Sequence, residues 1–410
     1  MILEFSVSNY KSIKDLQTIS FVAAPIVSKY KELDDNNVFK ASEKESLLKV
    51  VGIYGANGSG KSNLVKAMQA MLLFVKNAGT DAQLGDKLIM PFAFGVDETL
   101  KPTFFQIIFI AEEKKYRYGF ELLKGQVVSE WLFGTAKQNE VEYFTREKNE
   151  ININKTQFSE GIGAEKRTPH FNLFLNVNYY LDGQVAVKVR DYLTTHILVS
   201  DNDTDFRDAS IEYISNEEQK RSVLDLLSHA DIDIENLVMF NKNSISKDVF
   251  ENIQYLFGDG LMVTRKTNDS NKVLLTPFQT FQSEGTKKLF NYSSLFLEAL
   301  KTGKALVLDE FDTKFHPLLS RKIVELFNSK ANKANAQLFF VTHDSNLLDA
   351  KLLRRDQIYF AEKNKQGETS IYSLVDLQGV RNDASFEKDY IKGKYGAIPF
   401  LGNFEELFEN

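Results

Sequence analysis

The chain opens on alternating apolar and polar positions. Ile2, Phe5 and Val7, then Ile13, Leu16, Ile19 and Phe21, are separated by Glu4, Ser6, Ser8 and other polar residues. A period of two predicts strands near a sheet edge, with one face buried and one wet. Residues 26–46 hold few apolar side chains and are expected to form a loop. At 47–54 the run LLKVVGIY is almost continuously apolar, as suits a strand buried on both faces. It leads through GANGSGKSN into 62–76, where Leu64, Val65, Met68, Leu72 and Val75 recur at helical spacing.

Between about 90 and 185 the pattern changes. FFQIIFI at 104–110, YRYGFELL at 116–123 and VVSEWLF at 127–133 are short strand-like runs separated by polar turns, and predict an antiparallel meander. The aromatic residues Phe171, Phe174, Tyr179 and Tyr180 read as core rather than as a base-stacking platform. Helical patterns dominate from 186 to 258, for example at 217–229 with Val223, Leu226 and Leu227. The last part alternates: helix 284–302, strand 305–308, helix 318–330, strand 337–341, helix 345–353 and strand 357–361. That alternation predicts a mostly parallel sheet. The expected division is a core lobe from 1–80 and 275–375, an antiparallel β insertion at 81–185, a helical insertion at 186–274 and a tail at 376–410.

Composition narrows the chemistry. The 410 residues are 43% hydrophobic and 26% charged, ordinary for a soluble globular protein. There is no cysteine, so a disulfide framework, a thiolate metal site and a cysteine nucleophile are all excluded, and a reducing cytosol fits. Five scattered histidines offer no pair at metal-ligand spacing. The start MILEFSVSNYKSIKDL does not resemble a signal peptide, and no apolar run approaches the ~18 residues of a membrane span, so a cytoplasmic protein without membrane contact is expected. With 50 basic and 56 acidic side chains the net charge is −6, which does not coat the chain for non-specific DNA binding but leaves room for a local basic groove.

Four segments carry candidate chemistry. GANGSGKS at 55–62 satisfies G-x-x-x-x-G-K-[ST] between a buried-type strand and a helix. Gly55, Gly58 and Gly60 permit a tight turn whose N–H groups converge on a phosphate; Lys61 reaches the β- and γ-phosphates, and the Ser62 hydroxyl is a Mg²⁺ ligand. ALVLDE at 305–310 ends a buried strand in two acids, with Asp309 placed for the metal and Glu310 for a general base. LFFVTHD at 338–344 ends a second such strand in His343, which could sense a γ-phosphate. QSEGTKKLF at 282–290 starts a long amphipathic helix, with Ser283 as N-cap and Gly285 allowing close approach. A GTPase would want N-K-x-D, but Asn241 and Lys242 are followed by Asn243 and Ser244.

In this order the motifs resemble the ATP-binding-cassette heads of the SMC, Rad50 and RecF class. The resemblance implies an α/β P-loop fold: a mostly parallel core sheet with an antiparallel β subdomain and a helical insertion. It implies ATP and Mg²⁺ as ligands, with nucleotide contacts from Gly55, Asn57, Gly58, Gly60, Lys61, Ser62 and Asn63, metal contacts from Ser62 and Asp309, and catalysis by Glu310 and His343. Ser283, Glu284 and Gly285 take the place of the signature loop, which acts on the nucleotide of a partner copy. FDTKFHP at 311–317 takes that of the D-loop, with Asp312. The NYKSI segment at 9–13 is similar to the N-F-R-S start of these heads and nominates Lys11 as the basic residue beside the nucleotide. The insertion has no long coiled coil or cysteine hook, which sets the chain apart from Rad50 and SMC arms, and Gln106 falls within a predicted strand rather than a Q-loop.

The SEGT signature looks like that of the AAA-15/AAA-21 ATPases. The segments RRDQIYFAEKN at 354–364 and EKDYIKGKYGAIPFLGNF at 387–404 look like the ending of RloA-type and abortive-infection ATPases. That likeness implies a slow or regulated ATPase, a homodimer or assembly of dimers, and an effector protein encoded nearby in anti-phage defence. The alternative is a RecF-like ATPase of DNA repair, with nucleic acid as partner. The tail is either a strap over the sheet or a docking surface for the effector.

Overall fold

The computed structural model describes all residues except 96, 137–138, 203, 240–259, 267–272, 382–383, 400–401 and 406–410, so positions 241–244 of the N-K-x-D comparison lie outside the described residues. Val50–Tyr54 is the strand around which the parallel sheet is built, and all five of its residues are buried. The sheet runs Ile197–Ser200, Ala305–Leu308, Gln337–Val341, Val50–Tyr54, Ile358–Lys363 and Thr369–Ser373. The first five strands are parallel and the last is antiparallel to its neighbour. Leu308, Phe340 and Gly52 stand level in register, so the carboxyl ends of three strands open at one edge.

A second, seven-stranded antiparallel sheet joins the N-terminal strands Ile2–Ser8 and Gln17–Ser20 to the meander Thr103–Ala111, Lys114–Leu123, Gln126–Ala136, Asn139–Glu147 and Glu150–Ile153. Its single tryptophan, Trp131, stacks on Phe104 with ring centroids 5.4 Å apart and donates its indole N–H to Gln106 at 3.1 Å. The helix Lys61–Asn77 shares one apolar core with both sheets. Val65, Met68 and Phe74 belong to the same cluster as Val51, Ile53 and Phe339 of the parallel sheet and Phe105, Phe109 and Phe120 of the antiparallel one. These elements fall in a unit of Met1–Asp201, Gly303–Phe311 and Ile323–Asn410.

The other unit, Asn202–Thr302 with Asp312–Lys322, holds the long helix Glu284–Thr302, the helices Arg207–Tyr213 and Glu217–His229, and a three-stranded sheet of Asn236–Met239, Leu261–Lys266 and Val273–Pro277. Asn216 caps Glu217–His229 by accepting from the N–H groups of Glu218 and Gln219. Ser210 ties its helix to the long one through Asn291 O at 2.9 Å and Ser294 Oγ at 2.7 Å.

Local patterning misreads four places. Residues 26–46 contain the helix Lys31–Asn37 and a hairpin of Val38–Lys40 with Ser46–Leu48, held by remote partners: Asn37 donates to Leu352 O and Gln357 Oε1. The stretch expected to be helical from 186 also supplies the sheet strand Ile197–Ser200 and the strand Asn236–Met239. The expected helix at 345–353 is instead a short 3-10 turn, Ser345–Leu347, with Leu347, Leu348, Leu352 and Leu353 buried. Asp344 caps this turn by accepting from Asn346 N, and Asp349 accepts from Lys351 N, which a longer helix would bond to Leu347 O. Strands Asn139–Glu147 and Glu150–Ile153, too polar to stand out, complete the meander. In the tail, Tyr390 and Tyr395 pack on Phe360, and Tyr372 donates to Tyr395 O at 2.6 Å, so residues 386–397 strap the strands Ile358–Lys363 and Thr369–Ser373.

The two sheets are stitched by Gln337, which is 1% exposed. It accepts from Ile2 N at 2.6 Å and donates to Ile2 O at 2.9 Å and Leu48 O at 3.3 Å. Gln337→Ala should cost about 2 kcal/mol or more, because buried backbone groups lose their partners. Gln366→Ala, at an exposed position, should stay within about 0.5 kcal/mol. Denaturant unfolding of the two variants checks the difference.

Candidate nucleotide-binding site

The loop after Val50–Tyr54 turns through Gly55 at φ 153, Gly58 at φ 75 and Gly60 at φ 98, and Gly60 directly precedes the helix Lys61–Asn77. A side chain at position 60 would strike Thr369 Oγ1 and sit 2.7 Å from Ser12 Oγ, so only glycine serves there both sterically and conformationally. Lys61 is 4% exposed, and its ammonium donates to Gly55 O at 2.6 Å and Ala56 O at 3.0 Å. A buried ammonium held at the mouth of a glycine loop suits a polyanion. Ser59 Oγ is buried with no hydrogen-bond partner, one more donor within the loop. Asn57 and Gly58 are exposed at the tip, and Asn63 lies half-buried in the first helical turn.

Ser62 Oγ donates to Asp309 Oδ1 at 3.1 Å. The pair meets although the strand Gln337–Val341 lies between Ala305–Leu308 and Val50–Tyr54, because the helix starting at Lys61 carries Ser62 across. Asp309 is 7% exposed; burial raises its carboxyl above the ordinary range, against the bonds from Ser62 and from Glu310 N that favour the ionised form. Glu310 is exposed and left-handed at φ 46, a backbone position that non-glycine residues adopt mostly under tertiary constraint. His343 is exposed two residues beyond Gln337–Val341, after Thr342, whose N–H is fixed on Ile53 O at 3.1 Å. Lys61, Ser62, Asp309, Glu310 and His343 are thus all at the carboxyl edge of the parallel sheet.

The NYKSI segment reaches this edge in a way its motif does not announce. Asn9, left-handed and 3% exposed, donates to the carbonyls of Glu98, Lys101 and Pro102 and accepts from Phe92 N. Lys11 is also left-handed, half-buried, and bonded through its N–H to Met90 O at 2.7 Å. Burial lowers its pKa, helped by Lys66 and opposed by Asp201. Ser12 Oγ accepts from Asn63 Nδ2 at 2.6 Å and meets Thr369 Oγ1 at 2.7 Å, while Thr369 also donates to Ser59 O at 2.9 Å. Asn9 therefore holds the neighbouring stretch at residues 92–102, while Ser12 and Thr369 buttress the loop, and all three went unnoticed in the sequence. The NYKSI motif carried a signal for the first two, but nothing local marks Thr369.

In the other unit, Ser283 Oγ accepts from Thr286 N at 3.2 Å and caps the helix Glu284–Thr302. Gly285 leaves room for the backbone after Asp312: a Cβ would lie 2.6 Å from Lys314 O. Glu284 pairs with Lys287 at 2.7 Å and Lys314 at 3.6 Å. The S-x-G segment and the turn after Asp312 are thus packed together, and one carboxylate oxygen of Asp312 is buried without a hydrogen-bond partner.

A glycine loop closing on a helix N-terminus, with a strand-end Asp beside its Ser, defines an α/β P-loop nucleotide-binding protein. More specifically, the chain belongs to the AAA_21 family, described as "AAA domain, putative AbiEii toxin, Type IV TA system", whose model matches residues 50–349; it is an ATPase head of the ATP-binding-cassette type. Among solved structures, an SMC head bound to the C-winged helix domain of ScpA is 15% identical, with 91% of this chain and 97% of that chain covered and a TM-score of 0.47. An SMC head domain from Thermotoga maritima is 13% identical, with 91% and 98% covered and a TM-score of 0.42. An SMC head with an extended coiled coil, bound to the C-terminal domain of ScpA derived from Pyrococcus furiosus, is 14% identical, with 91% and 96% covered and a TM-score of 0.40. No curated protein matches the chain. Among the described residues no helix is long and apolar enough to cross a membrane.

Because its folded pKa is raised, Asp309 binds its proton more tightly in the native state than in the unfolded one. It therefore costs stability as pH rises through the carboxylate range. Asp309→Asn keeps an oxygen for Ser62 and Glu310 N and removes that cost. The variant should unfold at a higher temperature than the wild type near pH 7.5, with the gap closing near pH 4. Scanning fluorimetry at the two pH values reads the outcome.

Proposed function

We propose that the chain is an ATP-driven switch: it binds ATP with Mg²⁺, pairs with a second copy across the nucleotide, and opens again on hydrolysis. The observation that carries this reading is the Ser62–Asp309 pair beside buried Lys61, followed at once by Glu310. Gly55 and Ala56 carbonyls give up the Lys61 ammonium to a β- or γ-phosphate, and loop N–H groups converge on the same oxygens. Ser62 and Asp309 are the residues to hold Mg²⁺, which supplies charge neutralisation at the phosphates when bound. Glu310 takes the proton of the attacking water, and His343 donates to the terminal phosphoryl oxygen.

Support for the second copy comes from the S-x-G loop. Ser283, Glu284 and Gly285 begin a 19-residue helix whose first N–H groups and N-terminal partial charge suit an anion. A phosphoryl group held by one protomer's Lys61 and capped by its partner's Ser283 loop makes ATP a part of the interface, so binding favours the closed dimer. The family description names a type IV toxin–antitoxin system. Together with the signature and tail resemblances, it supports placing this switch in anti-phage defence, where the closed and open states hold and release an effector encoded nearby.

Lys61→Ala should abolish ATP binding. Glu310→Gln should bind ATP but turn it over at least ~100-fold more slowly, as expected when a general base is lost. Light scattering of the Glu310→Gln protein should show a dimer with ATP and a monomer without it; a persistent monomer would sink the switch reading. Co-purification of tagged Glu310→Gln protein with the products of its neighbouring genes tests the effector. Recovery with DNA that high salt removes would replace the defence role with a repair role.

A further inference from the structure

The motifs account for the phosphates of the nucleotide and leave its base without a partner. A triphosphate whose terminal group faces Asp309 and Glu310 runs its other end along the opposite flank of the loop. That flank is built by Ser12, Asn63 and Thr369, which bond to one another beside Gly60. Two chain segments continue outward from it. One is the turn before Thr369, where Gly367 stands at φ 80 with no side chain. The other is the segment at 90–94, bonded to Lys11 through Met90 O at 2.7 Å and to Asn9 through Phe92 N at 2.9 Å.

The two segments meet at one exposed ring. Phe94 covers Gly367, where a Cβ would lie 2.8 Å from its ring, and packs edge-on against buried Phe92 with centroids 5.7 Å apart at 66°. It nevertheless remains 72% exposed. The ring is held in place by Phe92 and Gly367 and offers a flat, solvent-facing π-surface on the flank of the loop. Asn9, through its bonds to Phe92 N and to the carbonyls of residues 98, 101 and 102, fixes this stretch of chain before any ligand arrives.

We propose that Phe94 is the platform on which the nucleobase of the bound triphosphate stacks. The inference rests on the reading of Lys61 and the glycine loop as the phosphate site. Stacking on one ring is tolerant of which base is present, because every base has a π-face. Phe94 therefore raises affinity for nucleotides over bare polyphosphate and does not by itself select adenine.

Calorimetric titration of the full chain with ATP and with inorganic tripolyphosphate, both with Mg²⁺, tests the platform. Phe94→Ala should weaken ATP binding about tenfold, the scale of one base–aromatic stack, and leave tripolyphosphate binding unchanged, while Phe94→Tyr should restore ATP binding. Thermal unfolding of Phe94→Ala should match the wild type, since the ring is largely exposed. The platform is overturned if Phe94→Ala binds ATP as the wild type does, or weakens both ligands equally, while Lys61→Ala still abolishes both. If Lys61→Ala binds both ligands normally, the phosphate site itself is wrong, and the platform falls with it.

Discussion

Everything at the carboxyl edge of the parallel sheet depends on there being no side chain at position 60. Three segments remote in sequence pass within bonding distance there: the N-terminal segment at Ser12, the loop at Ser59 and Asn63, and the late strand at Thr369. A methyl group would collide with two of them at once. The loop is therefore held from its outer flank by hydroxyl and amide side chains, and from its inner side by the helix Lys61–Asn77, rooted in the core shared by both sheets. Under the proposed reading this rigidity leaves little to rearrange when a phosphate arrives beyond the Lys61 ammonium, which exchanges the carbonyls of Gly55 and Ala56 for the ligand.

That arrangement stores cost. Lys61 and Asp309 are both nearly inaccessible, and burial has already moved the Asp309 carboxyl away from its ordinary range. Left-handed backbone at Asn9, Lys11 and Glu310 adds strain that a merely structural loop would shed. The large apolar core and buried polar ties such as Gln337 supply the stability that makes these residues tolerable.

What could be read from the sequence was what depends on neighbours in sequence. The glycine loop, the strand that ends in Asp309 and Glu310, and the helix Glu284–Thr302 are each specified by a dozen consecutive residues, and their limits were close to those observed. The parallel strands were legible because burial on both faces leaves long apolar runs. Features decided by distant partners were not. Lys31–Asn37 is a helix anchored through Asn37 on Leu352 and Gln357, and Ile197–Ser200 is a strand because Ala305–Leu308 offers it an edge. Leu347, Leu348, Leu352 and Leu353 imitate a helical face, yet Asp349 takes the N–H of Lys351 that a helix would bond to Leu347 O, and only the short turn capped by Asp344 forms. At the site the same division holds: Lys61 and Asp309 announce themselves, whereas Thr369 becomes visible only when its strand is laid beside the loop.

The lone indole carries a practical consequence. Trp131 lies in the meander, pinned by Phe104 and Gln106, and no other tryptophan exists to dilute its emission. Emission excited at the red edge, where the 16 tyrosines do not absorb, therefore follows the antiparallel sheet alone, whereas circular dichroism averages over every helix and strand. The molecule comes with a built-in optical probe of one layer, able to show whether that layer melts together with the rest of the chain or on its own.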